Sequence, residues 1–274
     1  MSIQHYENFP VASILCPPAL RAPVQAIYHF ARTADDLADE GLASTADRLD
    51  DLSRYRSALH QAAAGRVADG PWARVFAPLA LALRDHHLPL PLLDDLLDAF
   101  VQDTGNPVYP DRAALLDYCR RSANPIGRLM LHLAGVRDAA SLAQSDAVCS
   151  ALQLINFWQD PSVDLPRGRH YVTDADLHAG ADCPATQALV RDLCAWAADL
   201  MREGAPLACS VPGRLGWELR GVVQGGLRIL ERIDHMHYRT LSNRPTLGLR
   251  DLPVTVWRAL CMRSGRPTPG FALS

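Results

Sequence analysis

Residues Tyr28 to Glu40 read YHFARTADDLADE. On a helix, side chains three and four apart share a face, so Asp35 and Asp39 stand one turn apart with Arg32 close below. Tyr28, Phe30 and Ala31 lead into them as an apolar wall. Two carboxylates stacked this way repel each other unless a cation sits between them. Taken alone, the stretch has two readings: an acidic helix end turned to solvent, or half of a cation-binding site.

The helical spacing extends outward in both directions. Pro17-Pro18 reads as a helix start, with a helix from about Ala19 to Glu40 stopped by Gly41. Further helices are expected over Asp47–Ala64, Pro71–Asp85 and Pro89–Gln102, the last with Leu93, Leu96, Leu97 and Phe100 as its core face. Asp111 caps a helix to about Ser122, and Asn124-Pro125 opens the next. Ser141 to Asp160 is a long apolar helix, followed by Ala185–Gly204, Leu215–Thr240 and Asp251–Met262. Period-two runs of β-branched residues are missing. The fold class is all-α, a helical bundle expected to form a single domain over residues 1–274 with a flexible tail from about 264.

Composition narrows the function. At 49% hydrophobic and 21% charged, the 274 residues can bury a large core. A net charge of −3 gives no general attraction to nucleic acid, so no nucleic-acid partner is expected. All 27 basic residues are arginine, so any anion site must use guanidinium groups. Seven scattered cysteines without C-x-x-C argue against a disulfide framework or a zinc site. The start, MSIQHYENFP, has no signal-peptide pattern, and no apolar run approaches the ~20 residues of a membrane span. The expected location is cytoplasmic, with peripheral contact at the inner face of a membrane left open.

A second acidic stretch repeats the logic of the first. In QLINFWQDPSVDLPRGRHY, Asn156, Asp160 and Asp164 are each four apart, and Arg167, Arg169 and Tyr171 follow. A continuous helix would align them in one stripe, although Pro161 disfavours helical geometry at Asp160 and removes a hydrogen bond. Carboxylates and amide oxygens are hard ligands suited to Mg²⁺, and arginine suits phosphate oxygens. Two such stripes on separate apolar helices suggest facing helices with several Mg²⁺ ions between them. With Phe9, Tyr28, Phe30, Leu129, Phe157 and Trp158 as apolar surroundings, the ligand is expected to be a prenyl diphosphate in a central apolar cavity.

These stretches resemble the squalene/phytoene synthase family, the head-to-head members of the isoprenoid synthases. His5 and Phe9 resemble its N-terminal flap. Tyr28, Arg32, Asp35 and Asp39 resemble its first aspartate motif, and YCRRSANPIG from Tyr118 its central Tyr-Cys region. Gln153, Asn156, Asp160, Asp164, Arg169 and Tyr171 resemble the second aspartate motif, and Tyr238 the late tyrosine. The blocks HYENFPVAS, FARTADDLADEG, SANPIGRLMLHLAG and NFWQD resemble the bacterial hopanoid-cluster branch that makes hydroxysqualene. That resemblance implies a lyase converting presqualene diphosphate and water to hydroxysqualene and diphosphate, coupled to other enzymes of squalene assembly. Head-to-head condensation of two farnesyl diphosphates, or a phytoene-type synthesis, is the alternative, and a non-catalytic prenyl-binding protein of the same fold a more distant one. Val163, where the family usually has an acid, and Pro161 depart from its pattern, as does Ser122-Ala123-Asn124 after the Tyr-Cys pair.

The resemblance and the residue chemistry together assign roles. Asp35, Asp39, Asp160 and Asp164 are expected metal ligands, helped by Asn156. Arg32, Arg169, Arg167 and His5 are expected at the diphosphate, with solvation the alternative for Arg167. Tyr28, Tyr118, Tyr171 and Asn156 are expected at the reacting centre, with buried core tyrosines the alternative for Tyr118 and Tyr171. Phe9, Phe30, Leu129, Phe157 and Tyr238 are expected to line the apolar pocket. His235 and His237 diverge on a helix and do not suggest a metal. Gly221, Gly225 and Gly226 follow no strand, so they read as close helix packing rather than a dinucleotide loop, and no NADPH is expected.

Overall fold

The computed structural model describes residues 16–171 and 182–270. Its elements are α1 (Pro18–Asp39), α2 (Thr45–Ala63), α3 (Ala73–His86), α4 (Leu90–Asp103), α5 (Arg112–Ser122), α6 (Asn124–Leu133) and α7 (Ala139–Gln159). Then come α8 (Pro161–Asp164), a 3-10 turn (Leu165–Arg167), α9 (Pro184–Gly204), α10 (Leu207–Ser210), α11 (Gly213–His235) and α12 (Leu252–Cys261). The all-α expectation holds: among the described residues the only β pairing is an isolated parallel bridge between Val108 and His170.

Local chemistry sets the helix starts. Ser44 and Asp47 form a capping box, with the Asp47 N–H donating to Ser44 Oγ at 3.2 Å and the Ser44 N–H to Asp47 Oδ2 at 3.3 Å. That box starts α2 two residues before the expected Asp47. Asp111 accepts from the Ala114 N–H at 2.8 Å and Asp138 from the Ser141 N–H at 2.9 Å, satisfying otherwise orphaned donors.

The helices bury two main cores. In the first, α1 packs on α2, α3 and α4. Its centre is Phe30, Tyr55 and Phe76, with ring centroids 5.4 Å apart for Phe30–Tyr55 and 4.7 Å for Tyr55–Phe76. The second surrounds α7, which packs on α5, α6, α9 and α11, with Leu154, Trp158, Met201 and Leu230 inside. The approach of α9 to α7 requires glycine at 204, because a Cβ there would lie 2.4 Å from the Gln144 carbonyl oxygen.

Several sequence expectations change. Phe30 and Leu129 belong to the first core rather than a pocket wall. At about 100° per residue, a position two away from Tyr28 and Arg32 points to the opposite side of α1, and Phe30 does so. The helix expected over Leu215–Thr240 stops at His235, since His237 and Tyr238 take positive φ of 53° and 59°. Of the three glycines read as packing contacts, only Gly226 is one, where a Cβ would meet Met201 Cε at 2.9 Å; Gly221 and Gly225 face open space. The stripe over Asn156, Asp160 and Asp164 is interrupted: α7 ends at Gln159, Asp160 leaves helical geometry (φ −108°, ψ 17°), and Pro161 opens the one-turn α8.

Candidate active site

The first carboxylate stripe sits where α1 ends. Arg32 does not reach outward; its guanidinium is collared by its own helix, with Asp35 Oδ2 at 3.1 Å, Asp36 Oδ1 at 2.7 Å and Glu40 Oε1 at 2.8 Å. Asp36 and Glu40 therefore hold the arginine, leaving Asp39 for another partner. That partner is Arg169, which forms an ion pair with Asp39 and so ties the end of α1 to the chain after α8. The Val108–His170 bridge fixes the segment bearing Arg169 against the loop after α4.

The second stripe is neutralised in the same manner. Arg244 grips Asp160 with two hydrogen bonds, Nε to Oδ1 at 2.5 Å and Nη2 to Oδ2 at 2.9 Å. Asp164 keeps helical contact with Asp160 through its own N–H, 2.9 Å from the Asp160 carbonyl oxygen. The chain break at Pro161 thus turns the stripe without separating the two acids. Arg167 is exposed beside them, and Asn156 is half-buried one turn before Asp160.

Electrostatics mark the enclosed end of this site. Burial raises the Asp35 carboxyl, against the pull of Arg32. Burial, together with the Asp160 charge, lifts Asp164 to about 6, with Arg169, Arg167 and Arg244 opposing. Burial works to lower the Arg169 pKa, but its hydrogen bond to Asp39 and the charges of Tyr171, Asp39 and Asp164 hold it above the usual arginine value. A still larger shift belongs to an acid that the sequence pattern did not single out. Asp103, the last residue of α4, is pushed up to about 7 by burial, with Asp35 and Asp39 adding to the effect. It accepts a hydrogen bond from the Tyr118 hydroxyl at 2.9 Å.

Above these acids lies an aromatic cluster. Phe157 and Tyr171 stack with centroids 3.7 Å apart at 10°. Tyr118 lies 6.1 Å from Phe157, and Tyr109 lies 5.3 Å from Tyr118 and 6.1 Å from Tyr171. Tyr118 and Phe157 are thus brought together in the second core, with Tyr171 packed against it. Tyr109 escapes a sequence reading because it sits in the turn between α4 and α5, where no periodicity reports direction. Tyr238 is placed differently, since its hydroxyl donates to Asp234 at 2.6 Å and its pKa rises through burial and the neighbouring Asp234 and Cys194. Tyr28 is half-buried beside Arg32. His5 and Phe9 lie outside the described residues.

An apolar cavity adjoins α7. Its walls are largely apolar, with Gly127, Met130, Leu131, Cys149, Leu152 and Val222 among them. Of the expected wall residues, Phe30, Leu129, Phe157 and Tyr238 do not line it. On α6 the cavity takes Gly127, Met130 and Leu131, whereas Leu129 points into the first core. Along α7 the wall residues Cys149 and Leu152 continue at helical spacing into Asn156 and Asp160. The α7 face therefore runs from apolar wall to Asn156, with Asp160 capping its end about 12 Å from Leu152 at ~1.5 Å per residue.

The donor set suits a hard divalent cation, since Asp35, Asp39, Asp160 and Asp164 offer only carboxylate oxygens. Among the described residues, however, no three or more His, Cys, Asp or Glu side chains are gathered as an ion-holding group. Arginine holds the place of a cation at each stripe. Chemically, guanidinium groups paired this way can exchange their carboxylates for an anion, which frees the carboxylates for cations.

Known proteins resemble this chain over most of its length. The squalene/phytoene synthase family profile matches residues 3–251. A hydroxysqualene synthase of Zymomonas mobilis is 42% identical over 161 residues, 58% of this chain and 51% of the relative, so the match spans about half of that relative's length. A hydroxysqualene synthase of Rhodopseudomonas palustris is 35% identical over 228 residues, covering 78% of this chain and 74% of the relative. Among solved structures, squalene synthase HpnC from Alicyclobacillus acidocaldarius superimposes with a TM-score of 0.77 at 34% identity, over 86% of this chain and 90% of that one.

Proposed function

Because this chain belongs to the squalene/phytoene synthase family, we propose that it converts presqualene diphosphate and water to hydroxysqualene and diphosphate. The observation that carries this reading is the single face of α7 that joins an apolar cavity to the acid–arginine end of the site. The apolar part suits a prenyl chain in its chemistry, and the guanidinium groups of Arg169 and Arg244 suit a diphosphate.

Asp35, Asp39, Asp160 and Asp164 would hold Mg²⁺, with Asn156 supporting; when bound, the metal supplies Lewis-acid charge to the departing diphosphate. Arg169 and Arg244 exchange their aspartate partners for phosphate oxygens and orient the leaving group. Arg32, held by Asp35, Asp36 and Glu40, fixes the end of α1 so that Asp39 keeps its direction. The carbon–oxygen bond to diphosphate breaks with its electron pair leaving on oxygen. The faces of Tyr109, Tyr118, Phe157 and Tyr171 then stabilise the cyclopropylcarbinyl cation as it rearranges. Water adds its oxygen to the rearranged cation and gives up one proton. Asp103, with a carboxyl near 7 and a hydrogen bond from Tyr118, is able to hold that proton.

Head-to-head condensation of two farnesyl diphosphates is the second reading, favoured by the name of the solved relative, a squalene synthase. Mass analysis of products from presqualene diphosphate and, separately, farnesyl diphosphate, each with Mg²⁺ and with or without NADPH, separates the two. Hydroxysqualene from presqualene diphosphate without NADPH is the expected result. Turnover of farnesyl diphosphate alone would replace the first reading with the second, and no turnover of either would remove both.

A further inference from the structure

The outer face of α12 is apolar, rigidly mounted and rimmed by arginine. On the inner side, Ala259 and Met262 are buried. Asp251, at the start of the helix and 2% exposed, accepts from Arg228 Nε at 2.8 Å, Arg232 Nη2 at 2.9 Å and the Gly248 N–H at 2.9 Å. Arg258 pairs with Glu231 of α11 at 2.5 Å. These contacts fix the helix on α11 and, among the described residues, leave its other side exposed.

On that other side stand Leu252, Val256, Trp257 and Leu260, all more than half exposed, with Leu249 at 85% just before the helix. At about 100° per residue these helix positions cover roughly 140° of its circumference, the width of an interfacial apolar face. Isolated exposed hydrophobics are ordinary, but five of the twelve large ones among the described residues fall between Leu249 and Leu260. Such clustering marks an interaction surface.

The charge around it identifies the occupant. From Arg244 to Arg266 the sequence holds five arginines and one acid, Asp251, in a chain whose net charge is −3. Asp251 is buried and already paired. Arg250, Arg263 and Arg266 are exposed at the two ends of the helix and form no ion pair among the described residues. A second copy of the chain, docking face to face, would set these arginine rims against each other. Anionic headgroups would neutralise them, while Trp257 takes the position tryptophan favours at a bilayer interface.

We propose that the outer face of α12 docks this protein on an anionic lipid bilayer, with Leu249, Leu252, Val256, Trp257 and Leu260 entering the interface and Arg250, Arg263 and Arg266 meeting headgroups. The docking is independent of what the active site turns over. Because the helix is already folded and pinned, binding costs little ordering entropy.

The test is co-sedimentation of the full chain with phosphatidylcholine vesicles and with vesicles containing about half phosphatidylglycerol, at low salt and at high salt. Binding to the anionic vesicles at low salt, weakened by added salt, is expected. The variant R250S/R263S/R266S is expected to bind roughly 100-fold more weakly, and W257S/L260S to lose sedimentation even at low salt. Both should retain the wild-type circular dichroism and melting temperature, because none of the five side chains contributes a polar contact to the fold. Equal binding to both vesicle types, no binding to either, or variants that bind as wild type would overturn the assignment. So would a dimer abolished by W257S/L260S in a protein that ignores vesicles, which would give the face to a second copy.

Discussion

Replacing Gly204 by alanine adds one methyl group where α9 meets α7. A Cβ built there lies 2.4 Å from the Gln144 carbonyl oxygen, 2.6 Å from Val148 Cγ2 and 2.8 Å from the Val148 nitrogen, whereas ordinary contact begins near 3.4 Å. Two of these atoms are backbone, so no rotamer change relieves the overlap and the helices must separate by about 1 Å. Overpacking of this kind costs about 1–3 kcal/mol, and backbone involvement places it in the upper part of that range. Alanine returns less than ~1 kcal/mol through helix propensity, because Gly204 is the last residue of its helix. The net loss is about 2 kcal/mol, a melting temperature roughly 5 °C lower for a chain of this size. Gly221 supplies the control: it is exposed inside α11, and a methyl group added there would meet nothing within 4 Å, so the same substitution should stabilise by up to ~1 kcal/mol. Thermal melts and urea midpoints of G204A and G221A, measured together, give the two signs. A G204A protein that melts with wild type, or two variants shifting the same way, would refute the packing account of α7 and α9.

Other expectations can be checked with the metal-free protein and with substrate. Asp103 binds its proton more tightly folded, near 7, than at its ordinary 3.8, so its share of stability is greatest below about 4 and is lost as pH rises towards 7. Allowing for partial solvent access, the decline is on the order of 2 kcal/mol, and D103N should flatten it in urea midpoints taken from pH 5 to 8. Ser44→Ala removes the acceptor of the α2 capping box and should cost about 1 kcal/mol, read as a melting temperature lower by roughly 2–4 °C. Arg169→Met leaves Asp39 and Asp164 without their shared cation; the stabilisation of the protein by Mg²⁺ with diphosphate, measured by thermal shift, should fall by at least half, while R167M at the exposed neighbour should leave it nearly intact.

Much of the site was legible in the chain because its information is local. Spacing of three and four residues aligned Arg32, Asp35 and Asp39 whatever α1 packed against, and the same applied to Asn156 and Asp160 at the end of α7. The all-α class followed from apolar periodicity, and Asp111 announced its helix by residue type alone. What periodicity cannot supply is which neighbour each face meets. Phe30 and Leu129 are apolar helical positions, as their spacing says, but they lie on the side away from the pocket, since a helix with more than one buried face leaves that choice to packing. Asp103 has the pattern of an ordinary acidic helix end; only burial, with the α1 carboxylates Asp35 and Asp39 nearby, gives it a proton near neutral pH, against the opposing pull of Tyr118 and Arg169. Arg244 carries no motif, yet it holds Asp160 across 84 residues of chain. The sequence by itself determined most of the helices and where the two acidic stretches lie on them. Tertiary structure alone decided which cations face them, where the apolar cavity runs and which acid is buried, because those depend on contacts between residues that local spacing does not relate.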